Sequence, residues 1–116
     1  MQKETFDLLT HVRVPTMMTG GCMLGEAIEI AAEELKVHSL IQLSDIESEI
    51  ADRHGINAKT VDQNLRRVLG IAEYRSGRYP NVELMALMNR HGFDNVTPKK
   101  FVYAAAREVS DREESC

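Results

Sequence analysis

The sequence predicts an all-α fold of about six helices, and three observations carry that expectation. Apolar residues recur at helical spacing through most of the chain. No stretch alternates apolar and polar residues for long enough to make a strand. The chain is 43% hydrophobic but only 5% aromatic, without tryptophan, so its apolar residues are chiefly Leu, Ile, Val, Met and Ala, which suit packed helices. At 116 residues it is long enough for one domain with a modest core. We expect that domain over residues 1–110, followed by an acidic, disordered tail at 111–116.

Each element has its own signal. Phe6, Leu8, Leu9 and Val12 mark a short first helix, which should stop before Pro15 because the proline ring disfavours helical geometry at Val14. Thr16 to Gly21 reads as a connector in which Gly20 and Gly21 supply turn freedom. From Met23 or Leu24, Ile28, Ala31, Ala32 and Leu35 give a second helix ending near Lys36 to Ser39. Ser44 and Glu47 have the spacing of a capping box, and Ile46, Ile50 and Ala51 form the buried stripe of a third helix that stops at Gly55. Asn57 or Ala58 opens the fourth, with Val61, Leu65, Val68, Leu69 and Ala72 along one face. Asn81 caps a fifth helix containing Leu84, Met85, Leu87 and Met88 and closed by Gly92. Pro98 suits the first position of a sixth, because its missing N–H would have no partner there.

The third and fourth helices, joined by Gly55–Ile56–Asn57 with Ile56 expected in the core, have the form of a helix-turn-helix without a clear β wing. In such a motif the second helix can enter a DNA major groove. The residues expected to read bases are Lys59, Thr60, Gln63, Asn64 and Arg66: Gln and Asn can pair bidentately with adenine, and Lys and Arg can donate to guanine. Arg66 also lies far enough along to reach phosphate, as does Arg67. Arg67, Arg75, Arg78, Lys99 and Lys100 are the expected phosphate contacts. Lys99 and Lys100 would lie in the first turn of the last helix, against its dipole, so local stability does not explain them.

Charge is unevenly distributed along the chain. The formal net charge is −4, yet residues 1–58 carry 4 basic and 10 acidic side chains while residues 59–107 carry 9 basic and 4 acidic. A positive face could therefore meet phosphate on a protein that is acidic as a whole. An enzyme is not expected: Asp45, Glu49 and Asp52 form an acidic stripe with no nucleophile or metal-binding histidine beside them. Gly20, Gly21 and Gly25 lack the GK[ST] and the preceding strand of a phosphate loop. Cys22 and Cys116 make no CxxC and the four histidines are scattered, so neither a metal nor a cofactor is expected. No apolar run approaches the roughly 18 residues of a membrane span, and the N-terminus is too acidic for a signal peptide. A cytoplasmic location and no membrane partner are the expectation.

The chain resembles the C-terminal DNA-binding effector domain of the master sporulation-initiation response regulator of endospore-forming Firmicutes. The likeness spans about Leu8 to Val109. It rests on Val14–Pro15, Leu24–Gly25–Glu26–Ala27–Ile28, Ile50–Ala51, Gly55–Ile56–Asn57, Thr60–Val61–Asp62, Leu65–Arg66–Arg67, Arg75–Ser76–Gly77 and Thr97–Pro98–Lys99–Lys100–Phe101. It implies a six-helix, winged-helix-like effector whose fourth helix reads double-stranded DNA, with Lys59, Thr60, Asp62, Gln63 and Arg66 on that helix. It also implies a head-to-tail homodimer on tandem sites, and RNA polymerase or a full-length regulator as protein partners. Thr60 and Gln63 stand where the family carries arginines, which bears on the DNA word read and weakens phosphate and guanine contacts there. The family's receiver domain is not expected in this chain. The rival expectation is a helical protein-interaction module that kept the fold and lost productive DNA binding; net acidity and the methionines around Leu84 to Met88 support it.

Overall fold

Side-chain caps open the helices that begin at Ala58 and Val82, and a left-handed glycine closes the one that ends at His54, whereas the helices from Lys3, Thr19 and Leu43 begin without a side-chain cap. The computed structural model describes residues 1–75 and 80–115, with 112–115 as helical backbone. The described residues form six helices and no strand: α1 Lys3–His11, α2 Thr19–Glu34, α3 Leu43–His54, α4 Ala58–Tyr74, α5 Val82–Arg90 and α6 Pro98–Ser115. The all-α architecture without a β wing is therefore as expected.

Several ends are built as the sequence predicts. Asn57 Oδ1 accepts from the Thr60 N–H at 2.8 Å, and Asn81 Oδ1 accepts from the Leu84 N–H at 3.1 Å. Pro98 opens α6, and the Thr97 hydroxyl accepts from the Lys100 N–H. Gly55 ends α3 in the left-handed region at φ 66°, and the next N–H, of Ile56, donates back to the Ala51 carbonyl at 3.1 Å. That closure turns the chain sharply enough to start α4 three residues later.

The core is assembled around α2, which packs against α1, α3, α4 and α6. Leu24, Ala27, Ile28 and Ala31 of α2 are fully buried, as are Phe101, Val102, Ala104, Ala105 and Ala106 of α6. Small side chains on both helices allow a short interaxial distance. Asn81 links the layers: its Nδ2 donates to the Val12 carbonyl at 2.9 Å and to the Ala72 carbonyl at 2.8 Å, so it joins the ends of α1 and α4 to the start of α5.

Four expectations need correction. Gly20 and Gly21 lie inside α2, not in a connector, and both are buried. A Cβ on Gly20 would come within 2.5 Å of the Asn64 carbonyl oxygen of α4, and one on Gly21 would collide with the Pro15 carbonyl oxygen. They serve close approach, not turning. The Ser44–Glu47 capping box does not form: α3 starts at Leu43 with Gln42 at its N-cap and no side-chain cap, while Glu47 turns into the α3–α4 interface. Ile56 is not a core residue; it is 37% exposed because the backbone closure at Gly55 holds it at the rim. The first helix forms where Phe6, Leu8 and Leu9 mark it, with Phe6 on its exposed side and Thr5 buried beside Leu8 and Leu9. The backbone from residue 111 continues α6 to Ser115 in place of a separate tail.

Candidate nucleic-acid interface

α4 is amphipathic, and the division between its faces decides which predicted residues are available. Val61, Leu65, Val68, Leu69 and Ala72 are buried. Lys59, Gln63, Arg66 and Arg67 are exposed. The helix is held at a defined angle by both neighbours. On one side, the start of α2 lies against its backbone at Asn64, where only a glycine at position 20 fits. On the other, α3 is braced to α2 by His54 Nε2 at 2.8 Å from Glu26 Oε1 and by Arg53, which lies 3.8 Å from Glu26 and 3.1 Å from Glu49. The Gly55 corner is thus fixed from outside the motif.

Two of the five expected base readers are committed elsewhere. Thr60 is half-buried and its hydroxyl donates to Asn57 Oδ1 at 2.9 Å, so it belongs to the cap of α4. Asn64 is half-buried and its Nδ2 lies 3.6 Å from Met23 Sδ of α2, so it turns toward the core and away from the outer face. Sequence position on a recognition-type helix did not distinguish these two from Lys59 and Gln63; the neighbouring helix did.

Arg66 is exposed but held, with its Nε 2.7 Å from Asp62 Oδ2. Asp62 is itself in a chain of contacts with Glu47. The Glu47 carboxyl is pushed up to about 7, first by burial, then by the hydrogen bond with Asp62 and the charge of that neighbour. Asp62 moves the other way: the hydrogen bond from Glu47 and the nearby Arg66 guanidinium hold it below its ordinary value against the effect of burial. A proton retained on Glu47 lets the two carboxyls share the interface while Arg66 balances the remaining charge.

Arg66, Arg67 and Arg75 come together. With Gly70, Ile71 and Tyr74 they line a shallow cavity of about 300 Å³ on the second half of α4. Gly70 leaves open space there, since nothing lies within 4 Å of where its Cβ would be. Tyr74, 62% exposed among these cations, was not singled out by sequence reasoning; its place at the end of an amphipathic helix was the available signal. Arg67 also borders a second cleft with Met17, Thr19 and Asn64. Arg78 lies outside the described residues.

Lys99 and Lys100 do not join this group's cavity. Lys99 is exposed, and Lys100 donates to Asn95 Oδ1 at 2.7 Å and lies 5.9 Å from the centre of the Phe93 ring. Both line a different cleft, of about 540 Å³, beside Leu40 and Ile41. Their proximity to the arginines in the positive half of the sequence therefore does not become a shared cavity in space. Among the described residues no three His, Cys, Asp or Glu side chains are grouped to hold a metal ion, and no helix is long and apolar enough to cross a membrane. Comparison of the chain with protein-family models, curated proteins and solved structures gives no match.

Proposed function

We propose that this domain binds double-stranded DNA sequence-specifically, as the DNA-reading part of a transcription regulator, with α4 in the major groove. One observation carries the reading. Lys59, Gln63, Arg66 and Arg67 are exposed along the outer side of a helix whose inner side is fully buried, and that helix is the second of a pair joined at a left-handed glycine. Lys59 and Gln63 read base edges, one turn apart. Arg67 and Arg75 hold the sugar–phosphate backbone, and their shared cavity concentrates positive charge beside the groove-facing residues.

Arg66 must leave Asp62 to reach a base. With Asp62 half-buried, the Asp62–Arg66 pair contributes on the order of 1 kcal/mol, whereas a bidentate contact to guanine contributes about 1–3 kcal/mol of discrimination. The exchange favours DNA. Lys99 and Lys100 are not required by this reading. The sporulation-type role rests on the family resemblance; the geometry supports DNA reading in general terms.

The rival, a protein-interaction module, draws on the Asp62–Arg66 pair and on the separate apolar cleft around Lys99 and Lys100. Selection from a pool of random duplexes, followed by fluorescence anisotropy from about 50 to 200 mM salt, separates the two. On the DNA reading one sequence is enriched, affinity falls as salt rises, Gln63→Ala alters the enriched sequence, and Arg67→Ala weakens all duplexes alike. An unenriched pool, or a preference unchanged by Gln63→Ala, would overturn it.

A further inference from the structure

The cleft between the α2–α3 connector and the start of α6 has walls that DNA reading leaves unused. Leu40 and Ile41 line it together with Phe93 and Tyr103, whose rings meet edge to face with centroids 6.1 Å apart. Leu40 is 74% exposed, so its apolar side chain is available at the mouth of the cleft. Positive charge lines the cleft at its α6 end, while Leu40 and Gln42 at the other end also border Glu34, Asp45 and Glu49, and His91 is paired with Glu108 at 3.0 Å. Lys99 and Lys100 line the cleft, His91 lies beside them, and none of the described lining residues is a carboxylate.

The fold accounts for Lys100, which donates to Asn95 Oδ1 and lies over the Phe93 ring, but not for the exposed Lys99. Both occupy the first turn of α6, where the helix dipole disfavours cations. A DNA phosphate would account for them but not for the apolar and aromatic walls, since backbone phosphates offer nothing to bury there. A ligand with both an apolar anchor and negative charge accounts for both, and the cleft's volume of about 540 Å³ holds one or two large side chains.

We propose that this cleft docks an acidic amphipathic segment of a partner protein, inserting an apolar side chain against Leu40, Phe93 and Tyr103 and presenting carboxylates to Lys99 and Lys100. Such helix-in-groove recognition uses apolar anchors for affinity and flanking charge for choice of partner. The docking surface is separate from the α4 face, so partner and DNA could be held together. It also assigns Lys99 and Lys100 a role other than the phosphate contact expected from sequence.

The test is a backbone amide NMR titration of the full chain with three probes. They are a synthetic helical peptide with leucines on one face and glutamates beside it, the same peptide with lysine for glutamate, and a random-sequence duplex. The acidic peptide should shift residues around Leu40, Phe93, Lys99 and Tyr103, and the basic peptide should not. Leu40→Ala, at an exposed position that leaves folding intact, should weaken the acidic peptide at least threefold, and Lys99→Glu at least tenfold. Lys99→Glu should also strengthen the basic peptide. No shifts at millimolar peptide, equal shifts from both peptides, or shifts centred elsewhere would overturn the proposal. So would duplex shifts at Lys99 and Lys100 with duplex affinity lost in Lys99→Glu, which would return these lysines to phosphate. Failure of duplex selection with the peptide result intact would overturn the DNA reading alone.

Discussion

Replacing Glu47 with glutamine should stabilise the protein above neutral pH and leave it almost unchanged in acid. Glu47 is 8% exposed in the α3–α4 interface, and its carboxyl, ordinarily ionising near 4.5, is pushed up to about 7 by burial and then by Asp62. Between those values the folded protein retains a proton that the unfolded chain has released. Stability is therefore greatest below 4.5, falls as pH rises through about 7, and is lowest once Glu47 is ionised inside the fold. At about 1.36 kcal/mol per pH unit, the gap from 4.5 to about 7 sets an upper limit of about 3 kcal/mol. The pair shares that energy, because Asp62 is held low by the same hydrogen bond, so we expect about 1–2 kcal/mol. Glutamine keeps the shape, carries no charge at any pH, and its amide can donate to Asp62 in place of the acid proton. Urea unfolding of both proteins at pH 5, 6, 7 and 8, with matched m-values, reads the difference. The variant should gain over the parent by about 1–2 kcal/mol between pH 5 and pH 8. A gap that stays flat with pH, or a variant less stable at pH 8, would refute the account of the buried pair.

Asn81→Ala should destabilise by about 3 kcal/mol in urea unfolding, because it removes the α5 cap and leaves the buried carbonyls of Val12 and Ala72 without their donor. Gly20→Ala should cost about 2 kcal/mol and also weaken duplex binding measured by anisotropy, since its Cβ would press on the Asn64 backbone and shift α4. Gly55→Ala should cost only about 1 kcal/mol, read by the same unfolding assay, because nothing lies within 4 Å of the new Cβ and the positive φ is the whole penalty. Glu108→Gln should lower the melting temperature at neutral pH and flatten the acid limb of a series from pH 3 to 7. Burial raises the Glu108 carboxyl, but hydrogen bonds from Arg90 and His91 outweigh it and hold the group below its ordinary value. That stabilisation is present above the ordinary value and is lost as pH falls through the lowered one.

The residues that close helices were legible because their work is local. Asn57, Asn81, Gly55 and Pro98 each act on backbone groups within about one turn, so their identity and spacing determine the outcome whatever packs nearby. The buried stripe of α4 was legible for the same reason: a period of 3.6 residues selects a face without naming what covers it. The exposed positions of Lys59, Gln63, Arg66 and Arg67 follow from that stripe.

Sequence by itself thus determined six helices, the caps of α4 and α5, the glycine that closes α3, the proline that opens α6 and the polar side of α4. Tertiary structure decided what depends on which helices touch. Gly20 is a contact point because α4's backbone arrives there, and Asn64 is lost to the outer face because α2 covers it. Glu47 leaves its own helix end for Asp62 because the α3–α4 interface opens beside it. Likewise Lys99 and Lys100 follow the arginines along the chain yet line a cleft with Leu40 and Phe93. Charge clustered in sequence becomes a common surface only where the packing angles of the helices bring it together, and those angles are set by long-range contacts that no local pattern encodes.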